Sequence, residues 1–322
     1  MTSFYLPIDL VQILYHSWYK SIASILRIKE KAIGYTNSEV IGMIDAVCTY
    51  VNTRKTYSIL VFQNLSDSEI EKYRQHLECP ECGGQAYYRK RSIDGKAACF
   101  GSRYHAEGCS EGRSSPQKER EVRHAVEVNQ ILSEQYEVFF DFFAKESKVS
   151  SSNDTSRLKK DKPASSGTTK SHSQSPPQVR KKVLGFEKAL NSLLRGSNLA
   201  ESESLIEIDE GYKYKAKNLF VKFSDAEAAD SPKEAKPKMY WGTISHSDTE
   251  IEWLNPADCD DVGIPIKRHK DSILKQFNVA EKRDLEGAGL ILFGKCFWNA
   301  QKTRKIIELW NADRIYISVA ED

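Results

Sequence analysis

Between Cys79 and Cys109 the chain reads CPECGGQAYYRKRSIDGKAACFGSRYHAEGC. Five of these side chains are soft or borderline metal donors: Cys79, Cys82, Cys99, His105 and Cys109. Structural zinc takes four such donors, as thiolates and imidazoles at tetrahedral corners. Cys79 and Cys82 have the spacing of a metal knuckle, and Gly83-Gly84 behind them let the turn tighten. Asp94-Gly95 is a tight-turn pair, so Lys96 to Phe100 reads as the return strand of a hairpin. A knuckle, a hairpin and further donors on the return side make a zinc ribbon or treble clef. Cys79, Cys82 and Cys99 are the first three ligands on this reading. The fourth comes from one short loop. Cys109 is favoured because Gly108 lets the chain turn a thiolate inward, and His105 is the alternative. The donor left over would orient a ligand from outside the coordination sphere. Donors in surplus point to a structural Zn2+, since a catalytic ion keeps an open position.

CPECGG at 79–84, the basic strand after it, Asp94-Gly95, Cys99-Phe100 and His105 resemble the zinc ribbon of CoiA-like competence proteins. The resemblance covers residues 77–110 of the 322. That pattern has a His where this chain has Cys99, and it lacks a counterpart of Cys109. The resemblance implies a zinc module associated with DNA-handling proteins. Nothing here matches the nuclease part of that family, so it implies no activity.

Three stretches must carry and position these donors. Residues 1–146 read as a mainly helical domain with the zinc module (79–109) inserted. Ile8, Val11, Leu14, Trp18, Ile22, Ile25 and Leu26 recur at three- and four-residue spacings, which predicts a core helix over 7–27. Further helices are expected over 38–51, from Ser66 to about His76, and from Pro116 to about Lys145. Ser66 with Glu69 three residues on is a capping box. Tyr57 to Phe62 reads as a buried strand. Residues 147–182 are rich in Ser, Lys, Thr and Pro and read as a flexible, disordered basic linker. Residues 145–182 hold 10 Lys and Arg against 3 Asp and Glu, so this short segment supplies the positive excess of a chain whose net charge is +2.

Residues 183–322 read as strands after a short helix over 184–194. Strands are expected over 212–217, 219–223, 239–246, 249–254, 289–298, 304–310 and 314–319. A helix over 269–277 falls before the last hairpin. That order suits a small OB-like β-barrel. The whole is α+β: a helical N-terminal domain, a linker and a barrel.

The barrel suggests a ligand. Lys213, Lys215 and Lys217 alternate along one predicted strand face. Lys222, Trp241, Phe297 and Trp310 fall on strand faces where water or a ligand is expected. Aromatics interleaved with lysines suit base stacking by single-stranded nucleic acid. Near-neutral folded halves argue against a tight electrostatic grip on a duplex. The sequence holds no phosphate-binding G-x-x-x-x-G-K-[ST] loop and no G-x-S-x-G elbow, so no enzyme is recognised. No apolar run reaches the roughly 18 to 20 residues of a membrane span, and the first residues lack the pattern of a signal peptide. The expected location is the cytoplasm, where thiols stay reduced. The sequence thus points to a zinc-containing accessory protein that binds single-stranded DNA. The alternative is an adapter between protein partners, with a structural zinc.

Overall fold

Strands rather than helices open the described part of the chain. The computed structural model describes residues 43–112, 115–134, 136–144, 182–208 and 211–319, all within the compact unit Ile41–Asp322. The helix expected over 7–27 and the linker residues 145–181 lie outside the described residues.

The expectation of a mainly helical N-terminal domain is corrected. β1 (Asp45–Cys48) lies inside the stretch expected as a helix. Its core is Ala46-Val47-Cys48, buried on both sides, where β-branched and small residues fit a pleated surface. β2 (Lys55–Ser58) pairs antiparallel with it, placing Ala46 opposite Tyr57. The run read as one strand is split at Ser58. The Ser58 hydroxyl accepts the Val61 N–H and starts a single helical turn, α1 (Ile59–Phe62), of which only Phe62 is buried. The capping box forms as expected and opens α2 (Asp67–Tyr73): Ser66 Oγ accepts from Glu69 N at 3.3 Å, and Glu69 accepts from Ser66 N at 3.0 Å. β3 (Leu77–Glu78), β4 (Gln85–Arg89) and β5 (Cys99–Gly101) complete a sheet of order β2-β1-β3-β4-β5. Its small core centres on Phe62, whose ring lies 5.0 Å from Tyr88 and 5.3 Å from Phe100.

α3 (Pro116–Glu134) ends well before the expected Lys145, because β6 (Glu137–Phe140) takes Val138 and Phe140 into a second sheet. There β6 lies between β7 (Lys182–Leu184) and β8 (Leu205–Ile208), parallel to both. α4 (Phe186–Leu194) packs on α3. β9 (Tyr212–Lys215) closes the order β7-β6-β8-β9, and α5 (Ala216–Leu219) follows. A boundary at 146/183 therefore does not separate two cores. One core holds Val128, Val138 and Phe140 from before the linker with Leu184, Leu190, Ile206 and Ile291 from after it.

The barrel is present. β10 (Phe220–Lys222) leads to its five strands: β11 (Pro237–Ser247), β12 (Trp253–Pro256), β13 (Val262–Pro265), β14 (Gly289–Trp298) and β15 (Lys305–Leu309). Neighbours run β11-β12-β13-β15-β14, and β14 pairs back to β11, with Trp241 opposite Ile291. Every contact is antiparallel except β13 with β15. The five strands thus close into a barrel. α6 (Lys270–Gln276) sits between β13 and β14, and β16 (Ile315–Ser318) extends β14. Tyr240, Ile244, Leu254, Ile264, Leu292 and Ile307 fill the interior.

Buried charges join these parts. Glu121 on α3 accepts from Arg103 Nη1 at 2.7 Å and from Arg195 Nε at 2.7 Å. Arg103 also donates to the Gly287 and Ser318 carbonyls, both at 2.8 Å. Arg74 on the rim of α2 pairs with Glu286 at 2.6 Å and donates to the Ser245 carbonyl. Removing one member of a buried charge network strands the others, at a cost of about 3–5 kcal/mol. Glu121→Ala should lower the unfolding free energy by about that amount in urea denaturation followed by circular dichroism. Asp230→Ala, which removes only the exposed pair with Lys302, should leave the midpoint near wild type. Equal midpoints for the two variants would show that Glu121 does not hold the assembly.

Candidate metal centre and barrel groove

The knuckle is built by backbone bonds that need no metal. Gly83 N donates to Cys79 O at 3.0 Å, and Cys79 N donates to Gly84 O at 2.8 Å. Gly83 sits at φ +69°, where a side chain would be strained. At Gly84 a Cβ would come within 2.5 Å of the Tyr104 carbonyl, so only glycine lets the returning loop lie against the knuckle. That loop turns at Gly108 (φ +81°), and Gly112 N donates to Cys109 O at 3.0 Å. Glu81, between the knuckle cysteines, ties the two loops by accepting from Ser110 N at 2.8 Å and from the Ser110 hydroxyl at 2.5 Å.

These loops bring Cys79, Cys82, His105 and Cys109 together, with their donor atoms all within 4.8 Å of one another. Cys79 Sγ is 3.8 Å from Cys109 Sγ. His105 Nδ1 is 3.5 Å from Cys82 Sγ and 3.4 Å from Cys109 Sγ. A tetrahedral ion with bonds of about 2.3 Å to sulfur and about 2.0–2.1 Å to nitrogen sets sulfurs about 3.8 Å apart, and sulfur and nitrogen about 3.5 Å apart. The donor set fits such an ion.

Cys99 is not part of the cluster. The antiparallel register puts Cys99 opposite Arg89 and Gly101 opposite Tyr87. The knuckle lies at the other end of β4, before Gln85. Four strand residues separate the two ends, about 13 Å. The return strand must therefore run past Gly101 before a donor can reach the knuckle. Cys109 and His105 do so together, and they are not alternatives.

Burial lowers the His105 pKa, and Lys118 and Arg195 lower it further, so the imidazole is neutral and its nitrogen lone pair is free to bind a metal. Burial raises the Cys79 and Cys109 thiols. At Cys82 burial acts the same way but is outweighed by N–H donors from Ala106 and Gly84, and the net shift is downward. A bound cation would deprotonate all three.

A second feature lies on the outside of the barrel. Trp253 on β12, Pro265 on β13, Lys295 on β14, Leu309 on β15 and Trp310 just beyond it line a groove of about 570 Å³. Lys267, Arg268 and His269, directly after β13, stand on its wall with Glu308. Trp310 is 53% exposed, and the Lys295 ammonium lies 5.4 Å from its ring centre. Lys267 pairs with Glu252 at 2.9 Å and Arg268 with Glu308 at 3.3 Å.

Of the residues expected to touch nucleic acid, Trp310 lines this groove. Phe297 is half-buried two residues beyond Lys295 on β14. Trp241 is buried in the core between the barrel and the second sheet. Lys213 and Lys215 lie on β9, outside the barrel, paired with Glu137 at 2.5 Å and Glu203 at 2.9 Å. Lys217 falls on α5 and pairs with Glu203 too, so the three lysines do not share a strand face. Lys222 pairs with the buried Asp258 at 3.4 Å and caps the Tyr104 ring at 4.9 Å. Trp253, Lys267, Arg268 and His269 were not expected at a site. What they share is position, on or shortly after the second and third strands of the barrel.

The chain matches no protein-family model, no curated protein and no solved structure with which it was compared. Among the described residues no helix is long and apolar enough to cross a membrane.

The cluster separates the two ligand sets sharply. Cys82→Ser and His105→Ala should each lose the bound metal in elemental analysis of protein purified without chelator. Cys99→Ser should keep it. Metal loss in Cys99→Ser, or retention in His105→Ala, would overturn the assignment.

Proposed function

We propose that the protein binds single-stranded nucleic acid in the barrel groove and holds one zinc ion at Cys79, Cys82, His105 and Cys109. The groove carries the reading. Two tryptophans and four basic side chains converge on the face where small barrels of this kind take oligonucleotides. Tryptophan faces stack on any base, while lysine and arginine follow the phosphates, so binding would show little sequence preference. Three thiolates and an imidazole at tetrahedral spacing are the donor chemistry of structural zinc. The likeness of residues 77–110 to CoiA-like zinc ribbons points the same way, with DNA as the strand. All seven cysteines are free thiols, which suits a reducing compartment such as the cytoplasm.

An adapter role has one observation in its favour. Ile44, Val51, Leu60 and Val61, around β1 and α1, are each more than half exposed. A protein partner would cover such a patch.

The full chain would be titrated against a labelled oligothymidylate by fluorescence anisotropy. Trp310→Ala should cost about 1–3 kcal/mol of binding, the value of a lost stack. Lys295→Ala should flatten the dependence of log K on log salt by about 0.7 for one lost phosphate contact. A Lys213/Lys215/Lys217 triple alanine should bind as wild type. No binding by wild type at low salt would remove the groove as a nucleic-acid site.

A further inference from the structure

The hairpin that carries the knuckle also presents a tip that the metal cluster does not use. Regular pairing ends at Arg89 opposite Cys99, and residues 90–98 form the loop. Its root is clamped on both limbs by one buried guanidinium. Arg283 Nε donates to Lys90 O at 2.5 Å, and its Nη2 donates to Ala97 O at 3.2 Å. Glu286 accepts the Lys90 N–H at 2.6 Å. Above the root the turn is braced from within. Ser92 N donates to Lys96 O at 3.1 Å, and Lys96 N donates to the buried Ser92 hydroxyl at 2.8 Å. That hydroxyl bonds the Asp94 carboxylate, and Gly95 supplies the positive φ of +96°.

This bracing holds Ile93 92% exposed, the highest value of any large apolar side chain among the described residues. Lys90, Arg91 and Lys96, all exposed, lie within three residues of it along the chain. Lys90 also reaches Asp67 at 3.3 Å, and Asp94 is the one acid within the turn. Ser92, Asp94 and Gly95 supply the turn chemistry, so reversing the chain does not call for Ile93. A rigid apolar point in a basic collar has the chemistry of side chains that wedge between base steps while lysine and arginine hold the backbone.

We propose that the 90–97 turn is a nucleic-acid wedge. Ile93 enters the base stack where a duplex meets a single strand, and Lys90, Arg91 and Lys96 contact the flanking phosphates. A junction suits this chain better than continuous duplex. Its net charge of +2 provides no long electrostatic grip, and a terminal base pair has only one stacking neighbour to lose. The inference shares its ligand class with the groove reading but uses none of the groove residues.

The test uses the full chain and a duplex with a single-stranded tail, carrying 2-aminopurine in the base pair at the junction. Saturation is followed separately by anisotropy. Wild type should brighten the 2-aminopurine as the pair unstacks. Ile93→Ser should abolish the brightening and raise the Kd for the tailed duplex about tenfold, while leaving the affinity for the single strand unchanged. Ile93 makes no packed contact to lose, and an unchanged melting temperature would confirm the fold. Trp310→Ala should show the opposite pattern, with weaker single-strand binding and brightening preserved at saturation. Saturated wild type with no change in 2-aminopurine would overturn the wedge and leave the groove standing. Brightening without single-strand binding would do the reverse. Failure of both would assign Ile93 to a protein contact and overturn the proposal.

Discussion

The Glu121 carboxylate, held between the guanidinium groups of Arg103 and Arg195, fixes where everything else sits. Both arginines bind it at 2.7 Å, and its side chain is 1% exposed. Three consecutive residues then divide their attention. Arg103 faces Glu121 and two barrel-side carbonyls. The Tyr104 hydroxyl is 3.0 Å from Thr243 Oγ1 on β11, under the Lys222 ammonium. His105 turns back into the metal cluster. The loop that delivers a ligand is therefore the loop that docks the first sheet on the barrel.

Such charges are costly to bury, and apolar residues of equal volume would often give more stability. What they offer here is direction. Apolar contacts tolerate sliding, whereas a guanidinium donating to a carboxylate and two carbonyls has one orientation. Arg74 repeats the device with Glu286, whose second oxygen accepts the Lys90 N–H at the root of the hairpin tip. His246 joins through Glu71 at 2.9 Å. Burial alone would raise the Glu71 pKa, but the His246 and Arg74 partners hold it at about 2. The charges thus fix one orientation of the hairpin on the barrel.

Much of the barrel was legible because its signals are local. Alternating apolar runs over 239–246 and 289–298, with a helix before the last hairpin, carry the strand order with them. The knuckle and the Ser66/Glu69 box are equally local. What escaped depends on partners far along the chain. β6 is a short strand whose two neighbours both lie beyond the linker, so Val138 and Phe140 read as the end of a helix. Trp241 has the parity of a solvent-facing residue, but the second sheet covers that face. Cys99 misled because donor count was weighed without register. If Arg89 faces Cys99, each step toward the knuckle pairs one residue earlier with one residue later, and Cys79 meets Cys109.

The small size of the first sheet gives a metal at this cluster something to stabilise. Its strands are two to five residues long, and its core is a dozen buried side chains around Phe62. A core that small supports a fold poorly by itself. The donors sit where the sheet is weakest, between a knuckle and a loop with little regular structure. A metal there would cross-link the two ends of the hairpin, while Arg103 fastens the returning loop to Gly287 and Glu286 holds the Lys90 N–H at the other end. The tip faces solvent while its root is held by Arg283 and Glu286.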